Sequence, residues 1–324
     1  MPKLVFKDQP GHWRTGRDFP HVTLTKVSWD TSPEMALAYV FFGHVNIDFD
    51  GSPTAYGPPG INPQPDDDLG NAFDAVNGWF GVVALRPNDP LVTSGAALLD
   101  QKPALLHKGK FPVIQQARNG DPKPGYYVSS TPQPVGPIQL QNSYVDASEV
   151  PYGALSGQLK SLGFALGDYG LAIRHDQNLQ SGFYFVDIGP NTFALGECSH
   201  KVGKNLGGTG RASTFNNNFP VSLIVFPDSG TLDPGGIVSL SDDQVEAALP
   251  RLLFNLSRAS NAEELVLLMA FNEVLPPNVP QGKKKLDAYL KKPGSPKPRN
   301  YATINLGLRT FGFSPAVAAA AATL

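Results

Sequence analysis

The chain has 324 residues, 41% of them hydrophobic and 17% charged, which suits a globular protein with a sizeable core rather than a disordered or fibrous one. Its formal net charge of -2 is too small to recommend nucleic acid or an anionic membrane as a partner, and a single cysteine excludes an internal disulfide framework. With 33 glycines, 31 prolines and 10% aromatic residues, many short strands between turns are favoured over a helical bundle.

The N-terminal stretch MPKLVFKDQPGHWRTGRDF has no apolar run of signal-peptide length and is interrupted by Lys7, Asp8, Pro10 and Arg14. Classical secretion is therefore not expected of the chain as written; export would need a signal removed beforehand or a non-classical route. Residues 1–32 read as an irregular extension with Trp13 as anchor. Between 33 and 233, strand-like runs alternate with Gly/Pro turns. In GHVNIDFDG, His44, Asn46, Asp48 and Asp50 alternate with Val45, Ile47 and Phe49, which puts the four polar groups on one strand face. Such a face is either solvent-facing or the lining of a cleft. A metal reading of His44, Asp48 and Asp50 lacks any second clustered histidine, so no metal or cofactor is expected. Asp66-Asp67-Asp68, in a Pro-rich loop, reads as a solvated charge run or as an outer subsite for a cationic unit of a substrate. Tyr56, Trp79, Tyr126 and Tyr127 can offer faces for a ligand to stack on, and core packing is an equal use for Trp79.

Phe183 to Gly208 is the most informative segment. FYFV reads as a buried strand that delivers Asp187 at its tip, and Gly189-Pro190-Asn191 forces a turn. From Gly196 the apolar positions Cys198, Val202 and Leu206 take helical spacing, with Gly207-Gly208 as the stop, which predicts Glu197 in the first turn of a helix. Two carboxylates so placed can straddle a scissile bond, one donating a proton and the other activating water. A helix N-terminus would favour an ionised Glu197, whereas burial among Phe185, Phe193 and Leu195 would raise a carboxyl pKa, so the acid and base roles stay open. Cys198 and His200, two apart with no third orienting group, read as packing rather than as a nucleophile pair. GKNLGGTGR, residues 203–211, follows the predicted helix where a phosphate loop would precede one, and reads as helix termination.

Beyond Pro234-Gly235-Gly236 the texture is helical. Ser241 and Gln244 form a capping-box pattern ahead of Val245, Ala248, Leu249 and Leu252, with Pro250 expected to kink or break the helix. A second helix is expected from Ser260 or Asn261 to Leu275. The segment 276–300 carries seven basic residues against Asp287, a charge of +6, which leaves -8 for the rest of a chain whose net charge is -2. The apolar tail from Phe311 to Leu324 is shorter than the about 20 residues a span requires, so no membrane span is expected.

The order Asp187, Gly189-Pro190, Gly196-Glu197, Ser199, then a helix ending at Leu206-Gly207, resembles the core motif of glycoside hydrolase family 75, the chitosanases. NIDFDGSPTAYGPPG (46–60) is similar to the family's Asp-rich strand, and NGWFGVV (77–83), GYYVSSTP (125–132), YVDASEVPY (144–152), LGDYG (166–170) and VSLIVFP (221–227) follow in the same order. Cys198, where a small residue is usual, and a longer loop between the carboxylates depart from the pattern. The resemblance, covering about 40 to 227, implies an endo-acting hydrolase that cleaves β-1,4 bonds of chitosan by an inverting mechanism. It implies Asp187 and Glu197 as the catalytic pair, no cofactor, and a polysaccharide as partner. For a cationic polymer, Asp48 and Asp50 can pair with glucosamine ammonium groups, and His44, Tyr56, Trp79 and Tyr127 complete the expected substrate contacts. The expected fold is β-rich α+β: a barrel-like sheet domain (33–233) followed by a helical extension with a basic linker (234–324). Two other readings stand beside it: a peptidoglycan-cleaving glycosidase delivered as a toxin, and an inert glycan-binding module.

Overall fold

The computed structural model describes residues 4–15, 22–74, 76, 78–98, 106–174, 177, 179–189, 194–211, 215, 219, 221–230 and 240–257. The expected helix after Ser260, the basic segment and the apolar tail lie outside these residues. Nine strands build one mixed sheet: β1 (Leu4–Asp8), β2 (Thr25–Trp29), β3 (Ser32–Gly43), β4 (Asn46–Asp48) and, after a long loop-rich excursion, β10 (Tyr152–Ala154), β11 (Tyr169–Arg174), β12 (Leu179–Asp187), β13 (Glu197–Ser199) and β14 (Val221–Val225). Their order across the sheet is β1-β2-β3-β14-β11-β12-β10-β13-β4.

The architecture is sheet-rich with few helices, but the barrel expected from the sequence does not form. β1 and β4 are the two edges and do not meet. Closure fails because β4 is only three residues long, after which the chain leaves the sheet to build a separate layer. That layer holds the pair β5 (Phe73–Asp74) and β6 (Gly78–Trp79), the short helix α1 (Pro90–Thr93), and a three-stranded sheet of β7 (Ala84–Leu85), β8 (Ala97–Leu98) and β9 (Phe111–Ile114). Its core, around Phe49, Ala55, Tyr56, Val82 and Tyr127, is continuous in sequence with the end of β4.

The central strands are apolar runs, and β14 is buried at all five positions, as expected of strands covered on both faces. One face packs Phe41, Leu223, Phe183 and Phe185 against Leu159 of α2 (Gly157–Lys160) and Val202 of α3 (His200–Asn205). The other face packs Tyr152, Tyr184 and Val186 against Val245 of α4 (Asp242–Ser257). Helix α4 begins at the expected capping box: Ser241 N–H donates to Gln244 Oε1 at 2.8 Å, and Gln244 N–H to Ser241 Oγ at 3.4 Å. The helix continues through Pro250, so of the expected kink or break the break does not occur. Tertiary anchoring of its first half outweighs that local penalty: Val245 and Leu249 are buried on the sheet, and Gly182 N–H of β12 donates to Glu246 Oε1 at 2.8 Å.

Candidate active site

β12 ends at Asp187, as the sequence predicts. Gly153 of β10 lies opposite Phe185, but the next residue, Ala154, lies opposite Asp187, so β12 carries one extra residue just before the carboxylate. Bulges of this kind turn the following side chain relative to the regular alternation. Asp187 is buried, its carbonyl accepts from Leu155 N–H at 2.8 Å, and its Oδ1 accepts from Ile188 N–H at 2.7 Å.

Glu197 corrects the sequence reading. It opens strand β13, opposite Asn46 of β4, rather than the first turn of a helix. The helix starts three residues later, where Ser199 caps α3 by accepting from Val202 N–H at 3.4 Å. The spacing of Cys198, Val202 and Leu206 fits a helix from 196, but the capping serine decides the boundary, and residue 198 sits on the strand with its thiol in the core. The helix dipole therefore has no first-turn hold on Glu197. Downstream, Gly207 at φ +79° and the Leu206 cap end α3, as expected for residues 203–211.

β4 brings Asp48 alongside, paired with Ser199, and Asp50 follows in a tight turn whose N–H donates to Asp48 Oδ1 at 2.8 Å. Carboxylate oxygens of Asp48, Asp50 and Asp187 lie within 4.8 Å of one another. Two buried tyrosines brace them. Tyr152 hydroxyl donates to the Asp50 carbonyl at 2.6 Å and stands 3.2 Å from Asp48 Oδ2, and Tyr56 hydroxyl donates to Asp50 Oδ1 at 2.7 Å and stands 3.2 Å from Asp67 Oδ2.

Crowding and burial set the protonation of the group. Burial, then the charges of Asp187 and Glu197, push Asp48 well above the ordinary carboxylate range, and its carboxyl is hydrogen-bonded to Asp187. Burial, then Asp48, does the same to Asp50. Asp187 rises to about 7, through burial first and the charge of Asp50 next. Glu197 and Asp67 are raised by burial. Asp168, a buried carboxylate outside the cleft, accepts from three backbone N–H groups, of Ala165, Ser229 and Gly230, and is a structural anchor.

These groups line a cleft of about 580 Å³ whose wall, among the described residues, includes six carboxylates, from Asp48, Asp50, Asp67, Asp74, Asp187 and Glu197, and no lysine or arginine. Among the described residues, Asp48, Asp50 and Asp187 are also the set that can share a metal ion, and their all-oxygen donors suit a hard cation such as calcium or magnesium. Of the residues expected to bind substrate, Asp48, Asp50 and Tyr56 line the cleft, although Tyr56 is spent on Asp50 and exposes no ring face. Tyr127 is fully buried in the core beside Phe49 and Val82. Trp79 packs on Phe73 and His107 and donates Nε1–H to Lys110 O at 3.3 Å. His44 lies between β3 and β4, its N–H donating to Thr15 Oγ1 at 3.0 Å, outside the cleft lining. Cys198 is buried, with its thiol pushed up by burial, and His200 is lowered to about 4 by burial beside Phe49, so the two are packing groups.

Sequence reasoning missed Tyr152, Asn71, Asp74 and Phe80. Phe80 was legible only as the neighbour of Trp79; nothing local says which of two adjacent aromatics faces a cleft. No family model matches the chain, and no curated protein matches its sequence. Among the described residues no helix is long and apolar enough to cross a membrane.

Proposed function

We propose that the chain is an endo-acting, inverting glycoside hydrolase that cleaves β-1,4 bonds of chitosan. The observation that carries this reading is a cleft whose wall, among the described residues, holds six carboxylates and no basic residue, with the buried Asp187 and the half-buried Glu197 both lining it. A polycationic amino-sugar polymer is the glycan such a cleft fits, because its ammonium groups favour the ionised form of carboxyls that burial and crowding otherwise hold protonated. An anionic cell-wall glycan is repelled by the same groups.

The reading assigns the roles by environment, the usual way in which one site runs acid and base chemistry together. Asp187, raised by burial and by the charge of Asp50 against the lowering effect of its hydrogen bond with Asp48, acts as the acid in this reading. Glu197, raised by burial, acts as the base. In the displacement, the Asp187 proton moves to the glycosidic oxygen as the C1–O bond breaks towards that oxygen. Water forms the new bond to C1 from the opposite face while Glu197 takes its proton. Solvent then carries that proton away and reprotonates Asp187. The product is an anomer of inverted configuration.

Reducing-end release from chitosan and from intact peptidoglycan, by the wild type and by Glu197→Gln, tests the reading. Chitosan is expected to be cleaved and peptidoglycan not, with the variant slowed by about 10²- to 10⁴-fold. Cleavage of peptidoglycan without cleavage of chitosan would overturn it.

A further inference from the structure

Two lips of the cleft are built alike. In one, Phe80 precedes Gly81, where a Cβ would stand 2.8 Å from Asp50 Oδ1; in the other, Ile188 precedes Gly189, where a Cβ would stand 3.0 Å from Glu197 Oε2. In both lips the glycine lets the backbone lie against an acidic side chain. In both, the preceding apolar residue lines the cleft yet stays in solvent, at 50% exposure for Phe80 and 44% for Ile188.

The backbone beneath each is fixed. Phe80 N–H and Gly81 N–H both donate to Ala72 O, at 2.9 and 3.2 Å, and Phe80 O accepts from Ser130 Oγ at 3.3 Å. Ile188 N–H is held by Asp187 Oδ1 at 2.7 Å, and Gly189 N–H by Leu155 O at 3.1 Å. Single exposed apolar residues are ordinary on a surface. Two on braced lips, facing into one acidic cleft, match a ligand with apolar faces and a cationic rim. A pyranose ring bearing an amine has that form: its C–H face packs on an aromatic or branched aliphatic surface, while its ammonium and hydroxyl edge meets carboxylates.

We propose that Phe80 and Ile188 are the ring platforms of the site, seating successive amino-sugar units on either side of the carboxylates, with Phe80 the stacking surface. The assignment rests on the glycan reading above. It moves the stacking role from Trp79, which is packed against Phe73 and His107, to its neighbour.

The test is binding of a glucosamine hexamer, by calorimetry, to the Glu197→Gln protein and to the same protein carrying Phe80→Ala, Phe80→Tyr or Ile188→Ala. Phe80→Ala is expected to weaken binding roughly ten-fold and Ile188→Ala less, while Phe80→Tyr stays within about two-fold of the parent. The Phe80→Ala ratio should persist at high salt, since stacking is not screened as ion pairs are. Hexamer binding to Phe80→Ala within about two-fold of the parent, or no hexamer binding by either protein, overturns the platform. The two readings fail separately. A wild type that leaves chitosan uncut but binds hexamer through Phe80 sinks the hydrolase and keeps the platform; hydrolysis indifferent to Phe80→Ala does the reverse.

Discussion

Asp187→Asn is expected to stabilise the protein at alkaline pH while abolishing hydrolysis. The wild-type carboxyl has a folded-state value of about 7, against an ordinary 3.8, because it is buried and crowded by Asp50. Its folded value is the higher one, so the stability gained by keeping it protonated is full below about pH 4 and is lost as pH rises through 7. A shift of that size corresponds to on the order of 4 kcal/mol of ionisation cost at pH 8. Asparagine does not titrate, and its side-chain oxygen can still accept from Ile188 N–H, the 2.7 Å bond made by Asp187 Oδ1. Its amide can donate to Asp48. The two proteins should therefore melt together near pH 4 and part as pH rises, the variant melting roughly 6 °C higher at pH 8 for a chain of this size. Thermal melting of both proteins across a pH series, with chitosan hydrolysis assayed alongside, reads the effect. Equal melting temperatures at pH 8, or a variant less stable there, would refute the argument that Asp187 is held protonated against its own preference.

Salt should raise KM for chitosan in the wild type, because the acidic wall attracts a polycation through charges screened within about 8 Å at physiological ionic strength. Asp74→Asn should raise KM in low salt and flatten that response, which a KM series against sodium chloride checks. Calcium bound by Asp48, Asp50 and Asp187 would displace the proton that Asp187 must donate, so millimolar calcium is expected to slow hydrolysis, and a chelator to leave the calcium-free rate unchanged; activation by calcium would contradict the proton assignment. Removal of residues 276–324 should preserve turnover on soluble chitosan oligomers, since among the described residues the cleft lining runs from Ile47 to Glu197. Steady-state kinetics of the truncated chain tests this.

What the sequence makes legible is local. FYFV declares a buried strand and Asp187 its end, and Ser241 with Gln244 declares the start of α4, because strand burial and helix capping are written in residues a few positions apart. Glu197 was placed on the wrong element because helical spacing reads back through Cys198, and only the capping role of Ser199 separates strand from helix. The barrel failed for a non-local reason: closure depends on whether β1 and β4 meet, and no short pattern states that. The same holds for the site. Asp48 and Asp187 are distant in the chain and touch only because β4, β13, β10 and β12 are consecutive in the sheet. Tyr56 and Tyr127 show the limit of composition: an aromatic residue near a carboxylate can be a platform or a brace, and their burial makes Tyr56 a brace for Asp50 and Tyr127 part of the core.

The most direct test of the two-carboxylate account is proton NMR of a glucosamine hexamer during the first turnovers, which reports the anomer released before mutarotation. The α-anomer is expected to appear first with the wild type, and no cleavage with Asp187→Asn or Glu197→Gln. First appearance of the β-anomer would mean a retaining mechanism, and cleavage by either variant at near wild-type rate would remove that carboxylate from the chemistry.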